Sequence, residues 1–512
     1  MQPSHSAAIA CLALSLVPSA AGAQAMSTGG APPAPISQEQ FLSLMGRLDA
    51  LEKRNTELQG EIQALKSAQP KPPGPMDAKA TFNGGRPQLA NAERTFTYQP
   101  RVQVQLDAAK YVQDTPRPLA SDFRRGSYGD AGEAEHARDM SDGMNFRRVR
   151  LGAEGRFWTD WAYNLQLEFG GSGAEESGRI VNANISYTAI EDLELQIGAF
   201  APTTSFNDAT SGAAVLFAER PAPAEIVRGF TGADGRVGAS ALYSGKRWNV
   251  YAAVTGNLVQ TATFDDQLGV IGRASFTPFQ TKDSLVHVGV NTNIVLDPAA
   301  QSVHLNGADA VTPLRIRERP EMRVDGTRLI DTGVIDTKQL SMYGAEIGWR
   351  HKALSLAAEY FLFELDRRDA LHDPSFSGWY VEGAFTLTGQ PRRYDNGEGA
   401  FNQPRVQQPF DLKRHHLGVW EVAARWSDTD LNYRLGQGTA LGAIHGGVQH
   451  ILSLGLNWYP NDNVRFMAAW QHVDVDRISP GGNVFGAAPT PPAGAQIGQE
   501  LDIWSLRTQY NF

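Results

Sequence analysis

The chain ends in LDIWSLRTQYNF, residues 501–512, and the period of this stretch decides the fold. Read with a repeat of two, Trp504, Leu506, Thr508, Tyr510 and Phe512 share one face of an extended strand, while Ser505, Arg507, Gln509 and Asn511 share the other. One face suits hydrocarbon and the other suits water. Chain ends ordinarily fray. A terminus that alternates to its last residue therefore calls for a neighbouring strand, and for two different solvents on its two sides.

The same repeat runs upstream to about residue 97. Val102, Val104 and Leu106 alternate with Arg101, Gln103, Gln105 and Asp107, and Trp161, Tyr163, Leu165, Leu167 and Phe169 alternate with Ala162, Asn164, Gln166 and Glu168. Sixteen such segments can be counted, an even number. Short links, such as 158–160, 244–246 and 351–352, alternate with long ones, such as 112–145, 201–234 and 296–340. A membrane barrel has this rhythm, with short turns on its periplasmic rim and long loops outside.

A soluble sandwich or propeller also alternates, so the aromatic positions decide between the two. Trp158, Trp161, Tyr187, Trp248, Trp349, Tyr360, Trp426, Trp458, Trp470, Trp504 and Phe512 recur near segment ends, as interfacial girdles do. The expected fold is all-β: a 16-stranded antiparallel transmembrane β-barrel over 97–512, preceded by an N-terminal α-helical coiled-coil segment. One link breaks the rhythm. Residues 390–416 should form a short turn, yet the segment is long and carries Arg392, Arg393, Arg405, Lys413 and Arg414, so either it folds into the pore or the count slips there.

The apolar run from Ala7 to Val17, followed by Ala21-Gly22-Ala23, reads as a signal peptide over 1–23. It contains Cys11, the one cysteine, so the mature chain relies on no disulfide. Residues 24–40 and the Pro/Gly-rich 67–96 read as linkers. Between them, over 41–66, Phe41, Leu48, Asn55 and Ile62 fall at heptad position a, and Leu44, Leu51, Leu58 and Leu65 at position d. This is the pattern of a periplasmic coiled coil whose register Asn55 fixes; the alternative is an amphipathic helix docked on its own barrel. Past the first twenty residues no run reaches the roughly 18 apolar residues of a helical membrane span. The net charge of −9 argues against nucleic acid as a partner.

Several blocks resemble the phosphate-selective porins O and P of Gram-negative outer membranes: FRRVRLGAEGRF (146–157), LELQIGAF with FAERPAP (193–223), SGWYVEGAFTLTGQPRRY (377–394), GVWEVAARWSDTDLN (418–432) and HILSLGLNWYPNDNVRFMAAWQHVDVDR (450–477). The resemblance implies a homotrimeric sixteen-stranded porin among outer-membrane lipids, passing small anions with phosphate or polyphosphate as the substrate class. It also implies that Tyr510 and Phe512 form the signal read by the outer-membrane assembly machinery. Glu219-Arg220 matches the family's Glu-Arg pair. Ala201 stands where the family has lysine, and no lysine occurs between Lys110 and Lys246, so a dense lysine entrance is missing there.

A pore selects by side chains that replace part of an ion's hydration, and Arg suits phosphate through its planar, permanently charged fork. Parity turns Arg101, Arg148, Arg150, Arg156 and Arg273 into the lumen as the candidate anion pathway, with Arg350, Arg425, Arg465 and Arg507 on the same face. Eight acids face inward too, among them Asp107, Glu168, Glu346 and Glu421, so cross-strand pairing is the competing role for each Arg. The loop 201–234, third on the outer side, is the expected constriction, with Glu219, Arg220 and Arg228 in it.

The adjacent His415 and His416 would point to opposite sides of a strand and hold no metal together. GGSG at 170–173 lacks the Lys-Ser/Thr and the helix of a phosphate loop. No spacing singles out a catalytic set. The reading is thus a passive anion porin, neither enzyme nor cofactor carrier. The alternatives are a general porin with little ion preference, or a barrel anchor whose coiled coil tethers to the cell wall or a periplasmic partner.

Overall fold

The computed structural model describes residues 37–68, 79–83, 86–113, 140–171, 178–259, 261, 263, 265–300, 312–481 and 491–512. The signal peptide, the first linker up to residue 36 and the proline-rich stretch 69–78 lie outside the described residues. Two units separate, one ending at Pro75 and the other running from Met76 to Phe512.

In the first unit, helix α1 (Gln38–Ala68) covers the predicted heptad region. It contains no proline, and Glu39 sits in its first turn, where the helix dipole favours an acid. Phe41, Leu44, Leu48, Leu51, Leu58 and Ile62 are all exposed along it.

The second unit is a closed barrel. Its wall strands are β1 (Thr97–Gln113), β2 (Gly143–Phe157), β3 (Trp161–Glu168), β4 (Arg179–Tyr187), β5 (Leu193–Phe200) and β6 (Arg236–Ser244). Then come β7 (Trp248–Leu258), β8 (Leu268–Gln280), β9 (Ser284–Asp297), β10 (Ile335–His351) and β11 (Leu354–Arg367). The last are β12 (Ser375–Thr386), β13 (Val419–Tyr433), β14 (Ile444–Tyr459), β15 (Val464–Asp476) and β16 (Glu500–Asn511). Each pairs antiparallel with the next, and β16 returns to β1 from Leu501↔Gln113 to Asn511↔Gln103. Closure leaves no strand edge in lipid. The predicted sixteen strands are all present, each within a few residues of its expected place.

The expected linker 67–96 needs correction. The helix runs to Ala68, and Lys79–Asn83 pairs with Arg86–Ala90 as a hairpin joined to β1 through Leu89↔Tyr98. Two short extended runs flank Gly84-Gly85 in the sequence, a hairpin signal that the overall Pro/Gly content obscured.

Trp379, Trp426, Trp504, Leu506 and Tyr510 face outward and are exposed, while Gln105, Asp107, Ser453, Arg507 and Gln509 face inward and are buried. The wall is therefore apolar outside and polar inside, the reverse of a soluble core. Period two fails at one place that matters. A register shift on β2 pairs Gln105 with Arg148 but Leu106 with Phe146, leaving Arg147 as an extra residue. Such a bulge re-aims side chains, and Arg147 and Arg148 are both buried.

The interior is not an empty tube. The third loop contributes α2 (Phe206–Ala209) and α3 (Ala222–Phe230), whose Ile226, Val227 and Phe230 pack against the inward Phe361, Phe363, Ile451 and Ile503. A second outer segment, 312–334, adds Ile316, Met322 and Ile330 to the same cluster. The long 390–416 segment folds inward: Arg392–Asp395 and Ala400–Pro404 form a hairpin inside the barrel, so the strand count holds.

Across the seam, Arg507 on β16 donates to Asp107 on β1 at 2.6 Å, and both side chains are almost fully buried. Removing one partner of a buried pair costs about 3–5 kcal/mol. Asp107→Ala is therefore expected to lower the denaturation midpoint of the barrel in detergent, and Asp107→Ala with Arg507→Met to recover part of the loss. An unchanged midpoint in the single variant would show that the seam does not depend on this pair.

Candidate functional site: the lumen constriction

The third loop leaves β5 and turns into the barrel because the wall supplies acceptors for its backbone. The carboxylate of Glu359 on β11 accepts the Phe206 and Asn207 amides at 2.8 and 3.0 Å and the Tyr380 hydroxyl at 2.7 Å. These bonds satisfy the orphan donors at the start of α2. Proline at the start of α3 tolerates the missing amide there, and the apolar face of that helix is buried on the wall.

Between the two helices lies Glu219. It accepts from Arg147 Nε at 2.8 Å and from Arg507 Nη2 at 2.8 Å, and Arg323 of the 312–334 segment lies 3.5 Å away. Beside it, Arg150 donates to Glu168 at 2.6 Å and also contacts Asp234. Arg228 bridges Asp208 and Asp234, the latter at 3.2 Å, and reaches Glu225 at 3.4 Å. Two guanidiniums differ from these. Arg148 donates to the neutral Gln105 amide at 2.7 Å, and Arg220 donates to Asn207 Oδ1 at 2.8 Å and the Thr210 carbonyl at 2.9 Å.

Burial alone would raise the loop acids, yet the surrounding cations reverse it. Arg147, Arg507 and Arg148 hold Glu219 well below the usual carboxylate range. Arg150 and Arg228 do the same for Asp234, and Arg323 and Arg228 bring Glu225 down to about 2. Glu219, Glu225 and Asp234 therefore stay ionised at any pH a cell meets. Burial, with Arg228 close by, pulls Arg220 below its ordinary value.

Thus Arg148, Arg150, Glu219, Arg220 and Arg228 come together at one constriction. Arg101 sits lower in the lumen, sharing Glu154 with Arg86 of the N-terminal hairpin, each at 2.9 Å. Arg273 is elsewhere, bound to Glu346 at 2.8 Å and to the Glu398 and Gly399 carbonyls of the inner hairpin at 2.8 and 2.7 Å. Arg156 is exposed at the end of β2. At the C-terminus, Phe512 exchanges two 3.0 Å backbone bonds with Val102, and its ring meets Tyr510 at 5.6 Å. Sequence parity missed Arg147, which the bulge turns inward, as well as Arg323 and Arg392. The adjacent pair Arg147-Arg148 in an alternating strand was the available sign of a bulge.

The inner hairpin meets the third loop, with Phe401 and Phe206 rings 5.5 Å apart edge to face. The space left between them is about 20 Å³, room for a single water. On the opposite side, β3–β6 turn half-buried Asn164, Asn182, Gln196 and Ser240 inward. Amides are bonded along this wall, Asn182 to Gln166 at 3.2 Å and Gln196 to Asn184 at 3.0 Å.

The family described as phosphate-selective porin O and P matches residues 121–512. Porin O of Pseudomonas aeruginosa is 25% identical over 361 residues, covering 67% of this chain and 79% of that protein. An uncharacterized protein of Caulobacter vibrioides is 26% identical over 450 residues, covering 85% and 80%. Among solved structures, the trimer form of OmpT, an outer membrane protein of Vibrio cholerae, aligns with a TM-score of 0.46 at 10% identity, over 82% of this chain and 100% of that one. An anion-selective porin from Comamonas acidovorans aligns at 0.44 and 11% identity, over 81% and 100%.

Acids with depressed values contribute stability above their ordinary value and lose it as pH falls through the folded one. For Glu225 the loss runs from the ordinary carboxylate range down to about 2. Open-channel current noise, as a report on third-loop mobility, is expected to rise between about pH 5 and 2 as Glu225 loses its charge. Noise that does not change between about pH 5 and 2 would contradict this tethering.

Proposed function

The chain belongs to the phosphate-selective porin O and P family, and on that footing we propose that it passes small anions by passive diffusion, with phosphate or polyphosphate as the substrate class. It is an outer-membrane porin; the selectivity is what needs an argument. One observation carries it. Arg148 is buried at the constriction beside Arg150, its guanidinium is bonded to a neutral amide, and among the described residues no carboxylate forms an ion pair with it. Its charge is left over after the pairing around it is complete. Arg220, held by an amide oxygen and carbonyls, adds a second uncompensated cation in the facing loop. A low-dielectric passage magnifies such charges, and a guanidinium offers two parallel donors to a phosphate.

The general-porin reading has its own support. Arg150, Arg228, Arg273 and Arg507 are each matched by carboxylates, so most of the wall is locally neutral. The assembly is read as a homotrimer with α1 periplasmic, its exposed Leu stripe burying itself against two other copies as a coiled coil. Tyr510 and Phe512 are read as the signal for the outer-membrane assembly machinery.

In planar bilayers, a KCl gradient is expected to give an anion-favouring reversal potential, and added phosphate to block the chloride current. Losing one charged hydrogen-bond donor costs roughly 1.5–3 kcal/mol, so Arg148→Gln is expected to weaken the block about tenfold or more. A reversal potential near zero in the wild type would sink the anion reading in favour of the general porin. Leu51→Asp with Leu58→Asp should leave conductance intact but lower the thermal stability of the trimer in detergent; a trimer of unchanged stability would remove α1 from the assembly.

A further inference from the structure

The inner hairpin is followed by a return segment that leaves the lumen, and its outer portion has a composition no other short-turn link shares. Residues 410–417 read FDLKRHHL, with four successive basic or imidazole side chains between apolar ones. Leu412 and Leu417 are 74% and 60% exposed, and Phe410 is exposed too.

The segment is built, not draped. Asp411 caps a short turn by accepting the Lys413 and Arg414 amides at 2.9 and 3.3 Å, and it exchanges backbone bonds with His416. His415 takes a left-handed φ of 57° to close that turn. It is then clamped to the outside of the wall. The indoles of Trp420 and Trp458 both donate to the Leu417 carbonyl, at 3.1 and 2.9 Å. Phe410 packs edge-on against Trp458 at 5.2 Å, and Trp458 stacks between Trp420 and Phe466 at 5.4 Å from each.

Trp420, Trp458 and Phe466 lie on the outward, lipid-facing parity of β13, β14 and β15, at the rim that carries the short turns. Such aromatic rows mark the headgroup level of a membrane. The turn therefore carries its cations beside an aromatic row of this kind, with Phe410, Leu412 and Leu417 exposed next to them. Arg414 contacts Asp411 at 3.7 Å but remains 76% exposed, so its charge is available to solvent.

We propose that the 410–417 turn is a docking surface for anionic phospholipid headgroups of the adjoining leaflet, with Lys413 and Arg414 on the phosphodiester and the three apolar side chains against the acyl chains. The apolar residues argue for a lipid over a free phosphate ion, which has no use for them. Charge complementarity is local, since the chain as a whole carries −9. The proposal rests on the outer-membrane placement, but not on anion selectivity of the pore, so either can fail without the other.

The test uses the full chain reconstituted into nanodiscs containing brominated phosphatidylglycerol or brominated phosphatidylcholine at equal mole fraction, with tryptophan quenching as the readout. A basic residue near an anionic surface favours it about fivefold, so the phosphatidylglycerol bromine is expected to quench more strongly in the wild type. Lys413→Glu with Arg414→Glu should abolish that difference while conductance is kept. Trp420→Phe with Trp458→Phe should remove the responding signal, which assigns it to this rim. Equal quenching by the two lipids in the wild type, or a preference that survives the charge reversal, would overturn the proposal. So would loss of the preference on adding excess inorganic phosphate, which would make this a simple anion site.

Discussion

Glu219 is the point on which the interior depends. It stands in the third loop, and the guanidiniums gathered on it come from β2 (Arg147), from β16 (Arg507) and from the 312–334 segment (Arg323). Its own backbone carbonyl accepts from Arg425 of β13 at 3.1 Å. One residue thereby ties the barrel seam, the far wall and both inserted outer segments together. A charge buried this deeply is tolerable only when matched, and here the match fixes the position of a loop that has little regular structure of its own. Removing it would leave Arg147, Arg323 and Arg507 buried near one another without their shared carboxylate.

The interior that results is lopsided. Along β9–β16 the inward face of the outer half is largely apolar, with Met342, Phe363, Phe376, Val473 and Ile503 closed over by Val227, Phe230 and Ile330. This part is a protein core, and nothing hydrated passes through it. On the other side, β3–β6 keep small and amide side chains toward the lumen. The inserted segments thus narrow the lumen unevenly, filling one side more than the other. Arg148 and Arg150 lie on β2, at the border between the packed side and the amide side. The same residues on the far wall would have been sealed in.

The barrel was legible in the sequence because a wall strand between lipid and water must alternate, and each of the sixteen does so over nine or more residues or nearly so. Inward Arg and acid residues could be named from parity for the same reason: Arg507 and Asp107 both face inward and are buried. What could not be read was the pairing of residues far apart in the chain. Segment 312–334 has no period, since its residues meet the wall and the third loop singly, Glu321 at Ser427 and Gln471 of the wall and Arg323 at Glu225 of the loop. The bulge at Arg147 breaks the rule that the reading relied on. The hairpin of 79–90 was hidden by composition, and the heptad of α1 shows a helix without showing what covers it.

The net charge of −9 does not oppose the proposed anion preference once the charges are located. Inside, most Arg residues are cancelled by a carboxylate within hydrogen-bond reach, so their joint field fades within a few ångströms. On the outer face, Asp428, Asp474 and Glu500 lie in one cross-strand row with His450, adding negative charge on the far side of the wall. Exposed charges more than about 8–10 Å away are screened by physiological salt. An ion in the constriction therefore feels the residue of an incomplete cancellation, not the net charge of the chain. The cancellation is incomplete at Arg148 and Arg220, whose guanidiniums are held by neutral groups.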